Sequence, residues 1–220
     1  MKSTKSNKTQ RRKKKERTCT SMVDYSRPDP PVENGKVFQS EQKKSYKIMR
    51  CLDTAKSVHI VTSLEDSNKV YTMKAALLRY ANKRIRMKNE EDIHKEIDQA
   101  KGDIEKSRFI RLIESGTTPD FQFLILEPFE YSLGSCLKWR SSLCHGTIAH
   151  VARETLKALE ALHKMGYMHC CFTPDIIMLG VQPNESKICL SEFGTARKIP
   201  TEEKKELVKA LFPGPRRYAS

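Results

Sequence analysis

Tyr167-Met168-His169-Cys170-Cys171-Phe172-Thr173-Pro174-Asp175-Ile176-Ile177-Met178-Leu179 is the stretch whose reading decides the fold. Before it, Ile148, Val151, Ala152, Leu156, Leu159 and Leu162 recur at helical spacing, so a helix is expected over 147–165. Gly166 stands where that helix would stop, because glycine adopts a left-handed cap without a Cβ clash. The stretch ends in an apolar run, 176–179, that reads as a short strand. Between helix and strand lies a loop carrying one histidine, two cysteines, a threonine and an aspartate.

Upstream, residues 46–52, 58–64 and 69–77 are short segments rich in Val, Ile, Tyr and Thr, separated by polar breaks such as Glu65-Asp66-Ser67-Asn68. They predict three antiparallel strands. The charged segment 88–104 predicts a helix, and 109–114 and 121–127 predict two further strands about the turn Gly116-Thr117-Thr118-Pro119-Asp120. A short helix is expected over 131–140. Downstream, 187–190 predicts a strand beyond the loop Gln182-Pro183-Asn184-Glu185-Ser186, and 201–211 a short helix. No internal repeat is evident.

The chain has 220 residues, 38% hydrophobic and 31% charged, with a net charge of +14. This suits a protein in aqueous solution, and no apolar run approaches the ~18 residues that would span a bilayer. The basic N-terminus has no apolar segment behind it and does not read as a secretory signal. Residues 1–17 hold nine Lys/Arg and one Glu, so +8 of the +14 sits in a short tail. Residues 1–44 are expected to be a disordered basic tail ending in the proline-rich linker Arg27-Pro28-Asp29-Pro30-Pro31. That tail reads as a solvated arm, a nuclear localisation signal centred on 11–15, or a contact for nucleic acid or acidic lipid. Seven cysteines, at 19, 51, 136, 144, 170, 171 and 189, form no C-x-x-C pair. Reduced thiols in a cytoplasmic or nuclear setting fit better than zinc or a disulfide framework, and no metal site is expected.

Several short motifs fall in a meaningful order. Val70-Tyr71-Thr72-Met73-Lys74 closes the third strand, and Glu96 lies in the helix after it. His169 opens the loop already quoted, and Leu190-Ser191-Glu192-Phe193-Gly194-Thr195-Ala196-Arg197 follows the last strand. Gly214-Pro215-Arg216-Arg217-Tyr218-Ala219-Ser220 closes the chain. In that order they resemble V-A-I-K, the partner glutamate, H-R-D-x-x-x-x-N and D-F-G of protein kinases. The last two segments resemble L-x-D-F-G-x-A-R and G-T-x-R-Y-A-S of the casein kinase 1 superfamily, and within it the tau-tubulin-kinase-like branch.

The resemblance, over about residues 45–220, implies an α+β kinase-like fold. A five-stranded antiparallel small lobe would occupy 45–130, with a partial helical large lobe over 131–220. It further implies that Lys74, Glu96 and Glu192 form a vestigial ATP site, with Lys74 and Glu96 at salt-bridge distance. It implies that the large lobe is truncated inside the activation segment, leaving the apolar face of 147–165 without its main cover.

The same alignment implies a degenerate site. Phosphoryl transfer needs held phosphates, held metal and a group for the hydroxyl proton. No glycine occurs over 51–59, where backbone amides would approach phosphate. Cys171 stands at the base position, and a neutral thiol does not replace a carboxylate there; losing a base typically costs about 10²–10⁴-fold. Thr173 replaces a phosphate-contacting lysine, Ile176 a metal-binding asparagine, Glu192 an aspartate and Pro215 a threonine. A nucleophilic reading of Cys170-Cys171 is disfavoured, because His169 would turn inward and no second acid lies nearby.

The expected function is therefore a catalytically inactive kinase-like protein, a scaffold or decoy that works through protein partners and needs no cofactor. Two alternatives stand beside it. One is a divergent Ser/Thr kinase with weak ATP/Mg²⁺ binding. The other is a basic nuclear, nucleic-acid-associated protein acting through its tail.

Overall fold

The computed structural model describes residues 32–52, 57–102, 104–129, 131–139, 142–180 and 187–200. The tail 1–31, the expected helix 201–211, Pro215 and residues 53–56 of the glycine-free stretch lie outside the described residues.

The small lobe is an antiparallel sheet of six strands, not five. β1 (Val37–Gln39), β2 (Ser45–Cys51), β3 (Val58–Ser63) and β4 (Val70–Leu77) pair in sequence. β6 (Phe121–Leu126) then pairs with β4, and β5 (Leu112–Thr117) takes the edge beyond it. The extra strand corrects the boundary expected at residue 44. Phe38 is buried against Tyr46, Phe121 and Phe123, with ring centroids 5.0–5.6 Å apart. Gly35, at φ +86°, turns the chain so that its amide donates to Ile48 O at 2.7 Å.

β6 reads Phe-Gln-Phe-Leu-Ile-Leu, an almost unbroken apolar run, because both of its faces are covered. Phe121, Phe123 and Ile125 enter one core with Phe38, Tyr46, Ile48, Val61 and Met73. Leu124 and Leu126 point the other way, to Met87, Ile110, Met178 and Cys189. Successive strand residues face opposite sides, so this one strand joins two cores.

Helix α1 spans Ala81–Gln99, beginning seven residues before the expected 88–104. Met87, Glu90, Glu91, His94 and Ile97 recur at three- and four-residue intervals and form its buried face, together with Ile93. After the two-residue strand β7 (Tyr131–Ser132) come α2 (Leu133–Trp139) and α3 (His145–Lys164). The Cys144 side chain caps α3 by accepting from Thr147 N at 3.4 Å.

Of the apolar α3 face, expected to lack its main cover, Val151 and Leu162 are nonetheless buried, with Thr155, Ala158 and Ala161. Ile148 and Leu156 are exposed. With Leu133, Leu137, Leu159 and Phe172 they line an apolar groove of about 510 Å³ between α2 and α3.

β8 (Tyr167–Met168) pairs with β11 (Arg197–Lys198). β9 (Ile177–Leu179) lies between β7 and β10 (Ile188–Leu190). The expected strands 176–179 and 187–190 thus appear within one residue. No described helix is long and apolar enough to cross a membrane.

Candidate functional site

A cleft of about 330 Å³ runs between the sheet and the loop after α3. Leu52, Val58, Leu126, Phe129 and Met178 give it apolar walls, and Arg50, Lys74, Glu90, Asp175 and Glu192 its charged side chains.

Lys74 projects from β4 into this cleft. Its ammonium meets Glu90 on α1 through both carboxylate oxygens, at 2.7 and 2.9 Å, and Glu192 Oε1 at 3.1 Å. The expected pairing with Glu96 is therefore wrong. Glu96 lies six residues further along α1, where it accepts from Tyr167 OH at 2.8 Å and approaches Lys198 at 3.8 Å. It ties α1 to β8 and β11 and takes no part in the cleft. Glu90, which sequence reasoning missed, holds the lysine.

The Lys74 side chain is 15% exposed and that of Glu90 3%. Burial works against the Lys74 charge, but Glu90 and Glu192 outweigh it and hold its pKa above the ordinary lysine value. Burial raises the proton affinity of Glu90, Lys74 opposes and Glu192 adds to the rise. Two carboxylates sharing one ammonium leave the trio with a net charge of about −1 when all three are ionised.

Glu192 reaches the lysine because its backbone is left-handed, at φ 67° and ψ 50°. Such a conformation costs a non-glycine residue about 1–2 kcal/mol and needs support. Asn89 on α1 gives it, donating from Nδ2 to the carbonyls of Phe193, Gly194 and Ala196 at 3.0–3.3 Å. A Cβ at Gly194 would lie 3.1 Å from Arg86 O, so the turn packs directly on α1 backbone. His169 Nε2 donates to Ser191 O at 2.9 Å from the opposite side.

Phe193 is wholly buried beneath the turn. Its ring meets His94 at 5.2 Å, His169 at 5.7 Å and Phe109 at 5.9 Å between centroids. This continuous column of rings joins α1, the β5 approach and the loop after α3. Burial and the neighbouring Lys74 charge push the His94 imidazole down to about 3, and burial lowers His169 too.

A pH dependence follows. Below the ordinary imidazole value, about 6.5, the unfolded chain takes up a proton that folded His94 refuses. The His94 contribution to stability is therefore expected to fall with pH at about 1.4 kcal/mol per unit, or about 2 kcal/mol by about pH 5, and His169 adds to the fall in the same direction. Glu154, held down to about 2 by hydrogen bonds from Arg108, Lys157 and Arg153, acts only at lower pH. Urea midpoints across this range check the slope, and His94→Gln should reduce it by about 1.4 kcal/mol per pH unit; an unchanged slope would show that His94 is accessible to protons when folded.

The remaining expected positions fall together on one loop. Cys171 is half-buried, and burial and the Glu192 carboxylate push its thiol up, so it stays protonated near neutrality. Burial raises Cys170 likewise, which removes the electrostatic basis for a thiolate nucleophile. Thr173 is buried. Ile176 is 4% exposed and packs among Phe109, Ala158, Leu162 and Phe193, so an alkyl side chain fills the apolar core at the expected metal-ligand position. Among the described residues, no three His, Cys, Asp or Glu are grouped to hold a metal.

A lysine on the third long strand, clamped by a glutamate from the inserted helix and facing an E-F-G turn across a cleft, defines a protein kinase domain. The chain belongs to the protein kinase domain family, whose model matches residues 57–219. It is similar to the Caenorhabditis elegans protein "Putative casein kinase I C03C10.2", 32% identical over 52% of this chain and 36% of that protein. A second Caenorhabditis elegans relative, "Putative serine/threonine-protein kinase ZK507.1", is 26% identical over 60% of this chain and 40% of that protein. The chain thus spans less than half the length of these curated relatives. Among solved structures, the PF14_0431 kinase domain shares the fold, with a TM-score of 0.62 at 21% identity over 76% of this chain and 54% of that one.

ATP with Mg²⁺, which the family implies, fits this cleft poorly. The expected metal-ligand position, Ile176, carries no donor atom.

Proposed function

We propose that this chain is a kinase-family protein without phosphoryl-transfer activity, which acts by binding as a scaffold or decoy. The observation that carries this reading is Ile176. A buried alkyl group stands where the family needs a metal ligand, and no rotamer of isoleucine supplies one. Cys171 supports it, because a thiol held protonated by burial and Glu192 neither offsets charge nor takes a proton near neutral pH. The degenerate positions Cys171, Thr173, Ile176 and Glu192 belong to one functional unit, so their losses do not multiply.

The exposed apolar groove between α2 and α3 supports a protein partner over a small substrate as the object of binding. The basic run in the tail supports a cytoplasmic or nuclear setting. The intact Lys74–Glu90 pair favours a second reading, a divergent Ser/Thr kinase of the tau-tubulin-kinase-like branch with residual ATP binding.

Radiolabel transfer from ATP to an acidic, casein-like protein separates the two readings. Wild type is expected to transfer nothing above background. Cys171→Asp is expected to leave that unchanged, because metal and phosphate would still lack their partners. Transfer by wild type that Lys74→Ala abolishes would overturn the inactive reading. Rescue by Cys171→Asp alone would show that Ile176 and Thr173 matter less than argued.

A further inference from the structure

Helix α1 is charged against its own dipole. The N-terminal end of a helix carries a partial positive charge, which favours carboxylates in the first turn. In α1 that turn holds no acidic residue. Lys83 and Arg84 stand there instead, with Arg79 just before the helix and Arg86 and Lys88 just after. All five are exposed, and no Asp or Glu occurs between Asp66 and Glu90. Tyr80, at the cap position, makes no side-chain bond to the first-turn amides. Such a start weakens the helix, and a local rule broken without compensation marks a place where another demand acts.

Little within the fold offsets these charges. Lys88 pairs with Glu91 at 3.2 Å and Asp92 at 3.0 Å. Arg79 and Lys83 lie over the Tyr80 ring, each 5.0 Å from its centroid. Arg84 Nη1 donates to Leu78 O at 3.4 Å. Among the described residues, no carboxylate pairs with Lys83, Arg84 or Arg86.

The arrangement selects among anions. Lys83, Arg84 and Arg86 fan over about 160° of the helix circumference. Side chains that diverge in this way do not close on one phosphate group, so the ligand must present several anions in a row. A membrane surface needs apolar side chains beside the cations, and Ile85, 66% exposed, is the single large one exposed over 79–88. Arginine supplies most of the cations, and its guanidinium fork matches phosphate oxygens. The same chain brings nine further Lys/Arg in residues 1–17.

We propose that the N-terminal end of α1 is a contact surface for the phosphodiester backbone of a nucleic acid, bound without selection among bases. It is a folded surface additional to the basic run in the tail, and it stands whether or not the cleft transfers phosphate.

Fluorescence anisotropy of the full chain with a mixed-sequence DNA duplex of about 20 base pairs, across a range of salt concentrations, tests this. Lys83→Glu/Arg84→Glu is the variant. Carboxylates suit a helix N-terminus, so its Tm is expected to match or exceed that of wild type, and lost binding is then not lost folding. At about 0.1 M salt it should bind at least about tenfold more weakly, with the slope of log K against log[salt] shallower by about 2. Lys83→Gln/Arg84→Gln, which removes the charges without reversing them, should give a smaller loss in the same direction. A second duplex of unrelated sequence should bind within about threefold of the first. An α1 variant equal to wild type in affinity and slope overturns the inference and assigns the binding to the tail. Absence of wild-type binding at about 50 mM salt overturns it as well. So does a variant that loses affinity for phosphatidylserine vesicles or polyglutamate but not for DNA, which would make the partner a membrane or an acidic protein.

Discussion

Lys74→Met is expected to destabilise the folded chain by about 3–5 kcal/mol at about pH 8, the range for removing one partner of a buried ion pair. The reason is what it leaves behind. Glu90 is 3% exposed on its side chain, and Lys74 is the cation that holds it through both oxygens. Glu192 would remain close by, adding a like charge to a carboxylate already deprived of water. Glu90 can escape part of this cost by taking a proton, which sets the sign of the pH dependence. In the variant its folded pKa lies above the unfolded value of about 4.3, so the folded state holds the extra proton. Stability is then retained at low pH and lost as pH rises through that folded pKa. The loss should accordingly be smaller at about pH 5.5 than at about pH 8. Urea unfolding at the two pH values measures it. Lys74→Met/Glu90→Leu should recover most of the loss, since apolar replacement of a whole buried pair is often neutral. A single-variant loss below about 1 kcal/mol would mean that the pair is solvated in solution.

How much of this arrangement could be read beforehand depended on which elements carry a repeating pattern. β6 and the strand bearing Lys74 were legible because Val, Ile, Phe and Tyr runs bounded by polar turns have few alternatives. The loop from His169 to Ile176 was placed correctly for a related reason. α3 before it is long and periodic, and β9 after it is apolar.

Glu90 was not legible, and the cause is the start of α1. Ala81-Asn82-Lys83-Arg84 shows no apolar period, and Tyr80 at the helix start makes no side-chain capping bond. Starting the helix at residue 88 moved its centre, and with it the expected partner, to Glu96. Six residues is about 240° around a helix, so Glu96 faces β8 and β11 instead of the cleft. A better signal was present in the spacing of Met87, Glu90, His94 and Ile97, a stripe that contains a carboxylate. β1 escaped for another reason. Its three residues sit beside a charged, proline-rich segment whose composition hides one buried phenylalanine. Asn89 could be found only in the structure, because its role is to satisfy three carbonyls more than a hundred residues away.

Phe193→Ala is expected to cost about 3–5 kcal/mol, the range for deleting a buried aromatic ring and leaving the cavity. For a chain of this size that corresponds to a drop of roughly 6–20 °C in Tm. The ring is fully buried and touches His94 from α1, His169 from the loop after α3, and Phe109 before β5. Three separately folded segments therefore lose a shared neighbour at once, and collapse of any one of them cannot fill the space. The turn above also depends on the ring. With Phe193 absent, the left-handed backbone at Glu192 keeps its conformational cost and loses the packing that anchors it, leaving the Asn89 bonds to hold it. Phe172→Ala is the control. That ring is partly exposed and meets His169 only at 6.4 Å, so its removal should cost far less. Thermal melts of both variants beside wild type make the comparison. Equal losses would place the two rings in equivalent surroundings and dissolve the column. A large loss at Phe193 alone, in a protein that transfers no phosphate, would show that the column is retained for the fold, since catalysis would no longer require it.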